Sequence, residues 1–123
     1  MEKLFIPADI ITPEVFFDGD NGLLRIVGKS YPENVNSFYI PLIDYIEKYK
    51  LNPALKTVIE FDWLYYNTAT LKIIVKMISL LKDDVKNFEV QWHCREEVEL
   101  MIEKGEELKE LLNVKMKLII QKS

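Results

Sequence analysis

The 123-residue sequence has one cysteine, one histidine, four glycines and no long apolar run. A lone Cys94 has no partner for an internal disulfide, and with only His93 beside it there are too few soft ligands for a zinc site. No stretch approaches the ~20 apolar residues of a spanning helix, so no membrane insertion is expected. Positive charge is scarce as well: sixteen lysines and arginines against twenty acids leave −4, which argues against a nucleic-acid groove. Residues 1–6 do not resemble a signal peptide, because Glu2, Lys3, Pro7 and Asp9 interrupt any apolar core, and the cytoplasm is the expected compartment. A glycine-rich phosphate loop, an HExxH helix and a GxSxG elbow are all missing, and nothing calls for a cofactor.

What remains is a chain that is 49% hydrophobic and long enough to bury roughly two-thirds of its unfolded surface. One domain over residues 1–123 is expected. The charge is concentrated: residues 95–110 hold seven acids and three bases, so the rest of the chain sums to zero. Those acids read as the solvated face of a helix, with an acidic partner-binding surface as the second reading.

Residues 14–17 and 23–29 are β-rich runs joined by Asp18-Gly19-Asp20-Asn21-Gly22, a turn cluster that closes a hairpin. Its acids lack the alternating ligands and terminal Glu of a calcium loop. A helical stripe follows from Val35 to Tyr49, with Pro41 inside it, which predicts a kink or a helix that properly starts near Ile40. Residues 57–66 form a β-branched and aromatic run suited to a central strand. Leu71, Ile74, Val75, Ile78 and Leu81 trace the next helix, widened by Ile73, Met77 and Leu80; it is either deeply packed or keeps an apolar strip for a partner. Alternating strands at 88–94 and from 116 enclose a third helix containing Gly105, a glycine that lets the helix lie close to the sheet.

This order of elements predicts a two-layer α/β sandwich: a mixed five-stranded sheet with one hairpin, then parallel crossovers, and three helices mostly on one face. The carboxyl ends of the parallel strands then share one edge, where ligands and modifications gather. Three segments meet there, at 28–34, 66–70 and 93–96. The middle one places the hydroxyl of Thr68 at a helix start, where unpaired N–H groups and the helix dipole favour added negative charge. Asn67-Thr68 is also an ordinary helix cap. Catalysis is disfavoured, since His93 and Cys94 are adjacent in a strand and point to opposite faces, Cys94 toward the core and His93 toward the surface.

Thr12-Pro13-Glu14-Val15, Asn21-Gly22-Leu23-Leu24-Arg25-Ile26, Gly28-Lys29-Ser30-Tyr31-Pro32-Glu33-Asn34, Tyr66-Asn67-Thr68-Ala69-Thr70, Trp92 and Glu103-Lys104-Gly105-Glu106-Glu107 occur in order along nearly the whole chain. In this the sequence resembles the SiaC family of bacterial regulatory phosphoproteins. The resemblance implies a non-catalytic partner-switching protein, with logic and fold similar to the STAS-type anti-sigma-factor antagonists. It implies that a cognate protein kinase phosphorylates Thr68, that a PP2C-type phosphatase reverses this, and that the unmodified form activates a diguanylate cyclase in cyclic-di-GMP signalling and biofilm attachment. His93-Cys94-Arg95 departs from the family's pattern, with Arg95 in an acidic position.

The expected partner-binding residues are Asn67 and Thr70 at the helix start, Lys72 one turn inside, and Tyr31, Glu33 and Asn34 of the neighbouring loop. Arg95, on the same sheet edge, is a candidate phosphate partner for Thr68. The competing reading is a small-molecule-binding or generic STAS-like interaction domain in which Thr68 only caps a helix.

Overall fold

The computed structural model describes residues 1–122. Its elements are β1 (Leu4–Ile6), β2 (Glu14–Asp18), β3 (Leu23–Ser30), α1 (Val35–Tyr49), β4 (Thr57–Tyr66), α2 (Thr68–Asp84), β5 (Phe88–Arg95), α3 (Glu99–Leu112) and β6 (Met116–Gln121). The strands form a single sheet in the order β1-β2-β3-β4-β5-β6. The β1–β2 and β2–β3 pairs are antiparallel, and every later pair is parallel. Because the chain always steps to the next position in one direction, right-handed crossovers place α1, α2 and α3 in one layer.

The α/β architecture is the expected one, with two corrections. The sheet has six strands rather than five: β1 is only three residues long, too short for alternation to show, and it is recruited by β2 through the pairs Leu4↔Phe17 and Ile6↔Val15. The second concerns α1, which begins at Val35 rather than near Ile40. Asn34 caps it by accepting a hydrogen bond from the Ser37 amide at 3.1 Å. Pro41 is exposed, and so is Ser37, whose carbonyl loses its helical donor there, so water can take that donor's place. Asp18-Gly19-Asp20-Asn21-Gly22 does close the hairpin, through a short 3-10 turn ending at Gly22 with φ 66°.

Alternation along β4 sends Ile59, Phe61 and Trp63 to the helix layer, where Phe61 and Trp63 stack at 5.8 Å and Trp92 of β5 tilts against Phe61 at 5.7 Å. From α2 the buried stripe is Ile74, Met77, Ile78 and Leu81, so most of that apolar helix is packed. Gly105 is buried directly over Trp92, and the Trp92 indole donates to the Met101 carbonyl at 2.8 Å. No described helix is long and apolar enough to cross a membrane.

The opposite sheet face carries no helix layer and is lined with charge. Arg25 pairs with Glu60, and His93 Nε2 lies 3.7 Å from Glu60 Oε1. His93 is therefore mostly covered on this face rather than loose at the surface, because the Arg25–Glu60 pair of the neighbouring strands flanks it. Cys94 points the other way into the core, and burial raises its thiol pKa.

On the same bare face Glu89 is almost fully buried, accepting from Gln91 Nε2 at 3.0 Å with Lys115 and Lys117 at 3.5 and 3.7 Å. The Gln91 hydrogen bond first, and then the lysines, hold its pKa below the ordinary 4.5 against the opposing effect of desolvation. A depressed carboxylate pKa contributes stability that is present above the unfolded value and lost as pH falls through the folded one. Chemical denaturation between pH 6 and 3 should therefore show a steeper loss of stability below about 4.3 in the wild type than in Glu89→Gln. Equal slopes would mean that Glu89 is not coupled to folding.

Candidate functional site

The carboxyl edge of the parallel strands is built from the ends of β3 and β4 and the starts of α1 and α2. Asn67 leaves β4 in an extended conformation and caps α2, its Oδ1 accepting from the Thr70 amide at 2.9 Å. Thr68 is the first helical residue, exposed, and among the described residues its hydroxyl has no hydrogen-bond partner. The cap is therefore Asn67 alone. Thr68 sits where unpaired N–H groups and the dipole stabilise an anion, and its own oxygen is not needed to hold the helix.

Thr70 is not a surface residue. It is fully buried, with Oγ1 2.9 Å from Ser30 Oγ and donating to the Ser30 carbonyl at 3.1 Å. Ser30 Oγ also lies 2.7 Å from the Tyr39 hydroxyl, and the Ser30 carbonyl accepts from the Asn67 amide at 3.1 Å. This buried network ties β3, α1 and α2 together beneath Thr68. Burial pushes the Tyr39 phenol far above its usual pKa, so it stays protonated and can donate. The expected role of Thr70 as a contact is corrected to one of positioning, because helical spacing turns it inward, two residues after the exposed Thr68.

Lys72 is exposed one turn after Thr68. Helix geometry brings residues i and i+4 together, so a group added to Thr68 meets Lys72 first. Glu33 and Asn34 are exposed on the adjoining loop, where the Asn34 side chain is engaged in capping α1. Tyr31 is 36% exposed and meets Tyr65 edge-on at 5.8 Å, and Tyr65 is itself 44% exposed. Tyr65 was not expected here, since it belongs to a run that reads as central strand. The β3–β4 register slips between Gly28 and Lys29, pairing Gly28 with Trp63 and Lys29 with Tyr65, and this shift turns Tyr65 outward beside Tyr31.

Arg95 does not join this group. It ends β5 opposite Gln121 and shares strand parity with Glu89, Gln91 and His93, so it projects to the bare face rather than toward the helix layer that carries Thr68. The same alternation that buries Cys94 turns its neighbour away.

Among the described residues, no group of three or more His, Cys, Asp or Glu side chains is placed to hold a metal ion. The edge has an uncommitted hydroxyl, a lysine and an aromatic pair on an open surface. Fold and edge together define a small α/β protein that presents a free, exposed hydroxyl at the start of its second helix. The chain belongs to the SiaC family of regulatory phosphoproteins, whose family model matches residues 6–121.

Three further likenesses agree. SiaC of Pseudomonas aeruginosa superposes with a TM-score of 0.85 at 26% identity, covering all of both chains. The crystal structure of the diguanylate cyclase SiaD in complex with its activator SiaC, from the same organism, matches with a TM-score of 0.86 at 27% identity over 98% of this chain and 99% of that one. An uncharacterised protein of Pseudomonas aeruginosa strain UCBPP-PA14 is 28% identical over 113 residues, 89% of this chain and 90% of its own.

Proposed function

We propose that this protein, as one regulatory domain, is a non-catalytic partner switch of the cytoplasm. A cognate kinase phosphorylates Thr68, a PP2C-type phosphatase removes the phosphate, and the unmodified form binds and activates an effector. The effector is a diguanylate cyclase, by analogy with the SiaD–SiaC complex, so the output is cyclic-di-GMP and attachment behaviour. The observation that carries this reading is the exposed Thr68 hydroxyl at the start of α2, left free because Asn67 supplies the cap. A phosphate there adds about −1.5 to −2 charge where the helix end tolerates it best. Across a covered interface the same dianion must be desolvated, which releases the partner without refolding the domain.

The test is incubation of the protein with the serine/threonine kinases of its own genome and ATP, followed by phosphosite mapping. One phosphate on Thr68 is expected, with none on Thr68→Ala. Thr68→Ala should keep its stability within about 0.5 kcal/mol, whereas Asn67→Ala should lose about 1 kcal/mol. Thr68→Asp should weaken cyclase binding relative to Thr68→Ala. Phosphate on another residue, or on none, rejects the proposal.

A further inference from the structure

The sheet ends in two edge strands that are protected very differently. β1 is three residues long and is followed at once by Pro7, and both features blunt an edge. β6, at the other end of the sheet, is six residues long and carries Leu118-Ile119-Ile120 in a row. The Val90 amide donates to the Lys115 carbonyl and the Glu96 amide to the Gln121 carbonyl, both at 2.9 Å, so the odd-numbered residues of β6 turn their backbone groups to β5. The N–H and C=O groups of Met116, Leu118 and Ile120 therefore point outward, and among the described residues nothing pairs with them. Ile120 is 47% exposed although it lies opposite Cys94, on the helix side of the sheet.

Side-chain pairing selects a second copy of the chain as the occupant. Antiparallel pairing of β6 with itself about a twofold axis at Ile119 sets Leu118 opposite Ile120 of its copy on the helix side. On the bare side it sets Ile119 opposite Ile119 and Lys117 opposite Gln121, so no like charges meet. An axis at Lys117 would oppose two lysines, and one at Leu118 would set Lys117 against Ile119. The helix layer agrees with this arrangement. Gly105 rests on both Trp92 of β5 and Leu118 of β6, so α3 straddles these strands. A strand added at the usual spacing of about 4.8 Å brings α3 and its copy to roughly 10 Å, an ordinary helix-packing distance. Burial first, and then the Glu107 carboxylate, raise the pKa of the Tyr66 phenol on β4, which places Glu107 on the inner flank of α3. The opposite flank, toward the free edge, carries half-buried Ile102 with one acid, Glu106, and one base, Lys109, and so adds no net charge to the contact.

We propose that the chain forms a twofold dimer through antiparallel pairing of β6 with β6, which joins two six-stranded sheets into one of twelve. The new strand pair satisfies the outward backbone groups of Met116, Leu118 and Ile120. Contact between α3 and its copy brings the buried area toward the about 1,200 Å² at which specific interfaces begin. Thr68 opens α2, away from β6, so both copies keep that edge uncovered. Because the paired strands run in opposite directions, the two Thr68 hydroxyls lie at opposite ends of the dimer. The dimer stands independently of the partner-switch reading and makes the protein bivalent toward whatever binds the Thr68 edge.

The test is sedimentation equilibrium of the full chain from about 1 to 300 μM, over which the mass should rise from monomer to dimer. Ile120→Lys should weaken association by about tenfold or more. Leu55→Lys, at the most exposed apolar residue of the protein and far from β6, should change it less than about twofold. Circular dichroism checks that each variant is folded. Mild oxidation of Ile119→Cys should give a disulfide-linked dimer, because directly opposed residues in such a non-hydrogen-bonded pair have Cα atoms about 4.5 Å apart. Lys117→Cys should not cross-link, since the two copies of residue 117 stand roughly 13 Å apart, and the native Cys94 is buried. A chain that stays monomeric throughout overturns the proposal and leaves the edge to a strand of another protein. A dimer that survives Ile120→Lys, or one that cross-links through Lys117→Cys but not through Ile119→Cys, overturns it as well, because the contact then lies elsewhere or in another register.

Discussion

Replacing Gly22 with alanine should lower the stability of the protein by about 3–4 kcal/mol, visible as a drop in Tm of roughly 10–15 °C in a thermal melt. Two independent causes add. Gly22 has φ 66°, a left-handed conformation that costs an L side chain about 1 kcal/mol or more. A β-carbon there would also overlap the backbone carbonyl oxygen of Lys56, which cannot rotate away as a side chain would. Lys56 leads into β4, and the Val58 amide donates to the Gly22 carbonyl at 2.8 Å, so the clash falls on the first contact between β3 and the central strand. The fold would have to open its β3–β4 pairing to admit one methyl group. A Gly22→Ala variant that melts within about 2 °C of wild type would show that the hairpin end relaxes freely.

Gly105→Ala should also destabilise, by about 2 kcal/mol, although the same change in an ordinary helix interior stabilises by about 1 kcal/mol. The sign reverses because α3 lies directly on the sheet. A β-carbon at residue 105 would stand 2.5 Å from Trp92 Cδ1 and 2.7 Å from both Trp92 Nε1 and Leu118 Cδ1. Leu118 can change rotamer. Trp92 is held by its hydrogen bond to the Met101 carbonyl and by packing against Phe61 and Tyr66, so α3 itself must lift. Combining Gly105→Ala with Leu118→Ala should recover part of the loss, because the two changes share one contact. A melting temperature raised by Gly105→Ala would refute the close approach of helix and sheet.

Much of this architecture is readable before any coordinates. The periods of 3.6 and 2 place α1, α2, α3 and five of the strands, and Asp18-Gly19-Asp20-Asn21-Gly22 announces the hairpin. The element order then fixes which loops share an edge. β1 escapes because three residues give alternation nothing to repeat, and its strand character is conferred by β2. The start of α1 is misread because Pro41 outweighs Asn34 in a local reading, whereas Ser37 and Pro41 both lie on the exposed side of the helix, where water can replace the lost donor.

The sequence by itself determined the kind of fold, the presence of a hydroxyl at the start of the second helix, and the resemblance that makes the hydroxyl significant. Only the tertiary structure decided what surrounds it. Asn67 takes the cap and frees Thr68, Thr70 turns inward to Ser30 and Tyr39, the register shift at Gly28 brings Tyr65 out beside Tyr31, and strand parity carries Arg95 to the far face. Periodicity records whether a side chain faces in or out along its own element. Which atoms then meet depends on register and crossing between elements distant in the chain, and no local pattern encodes that.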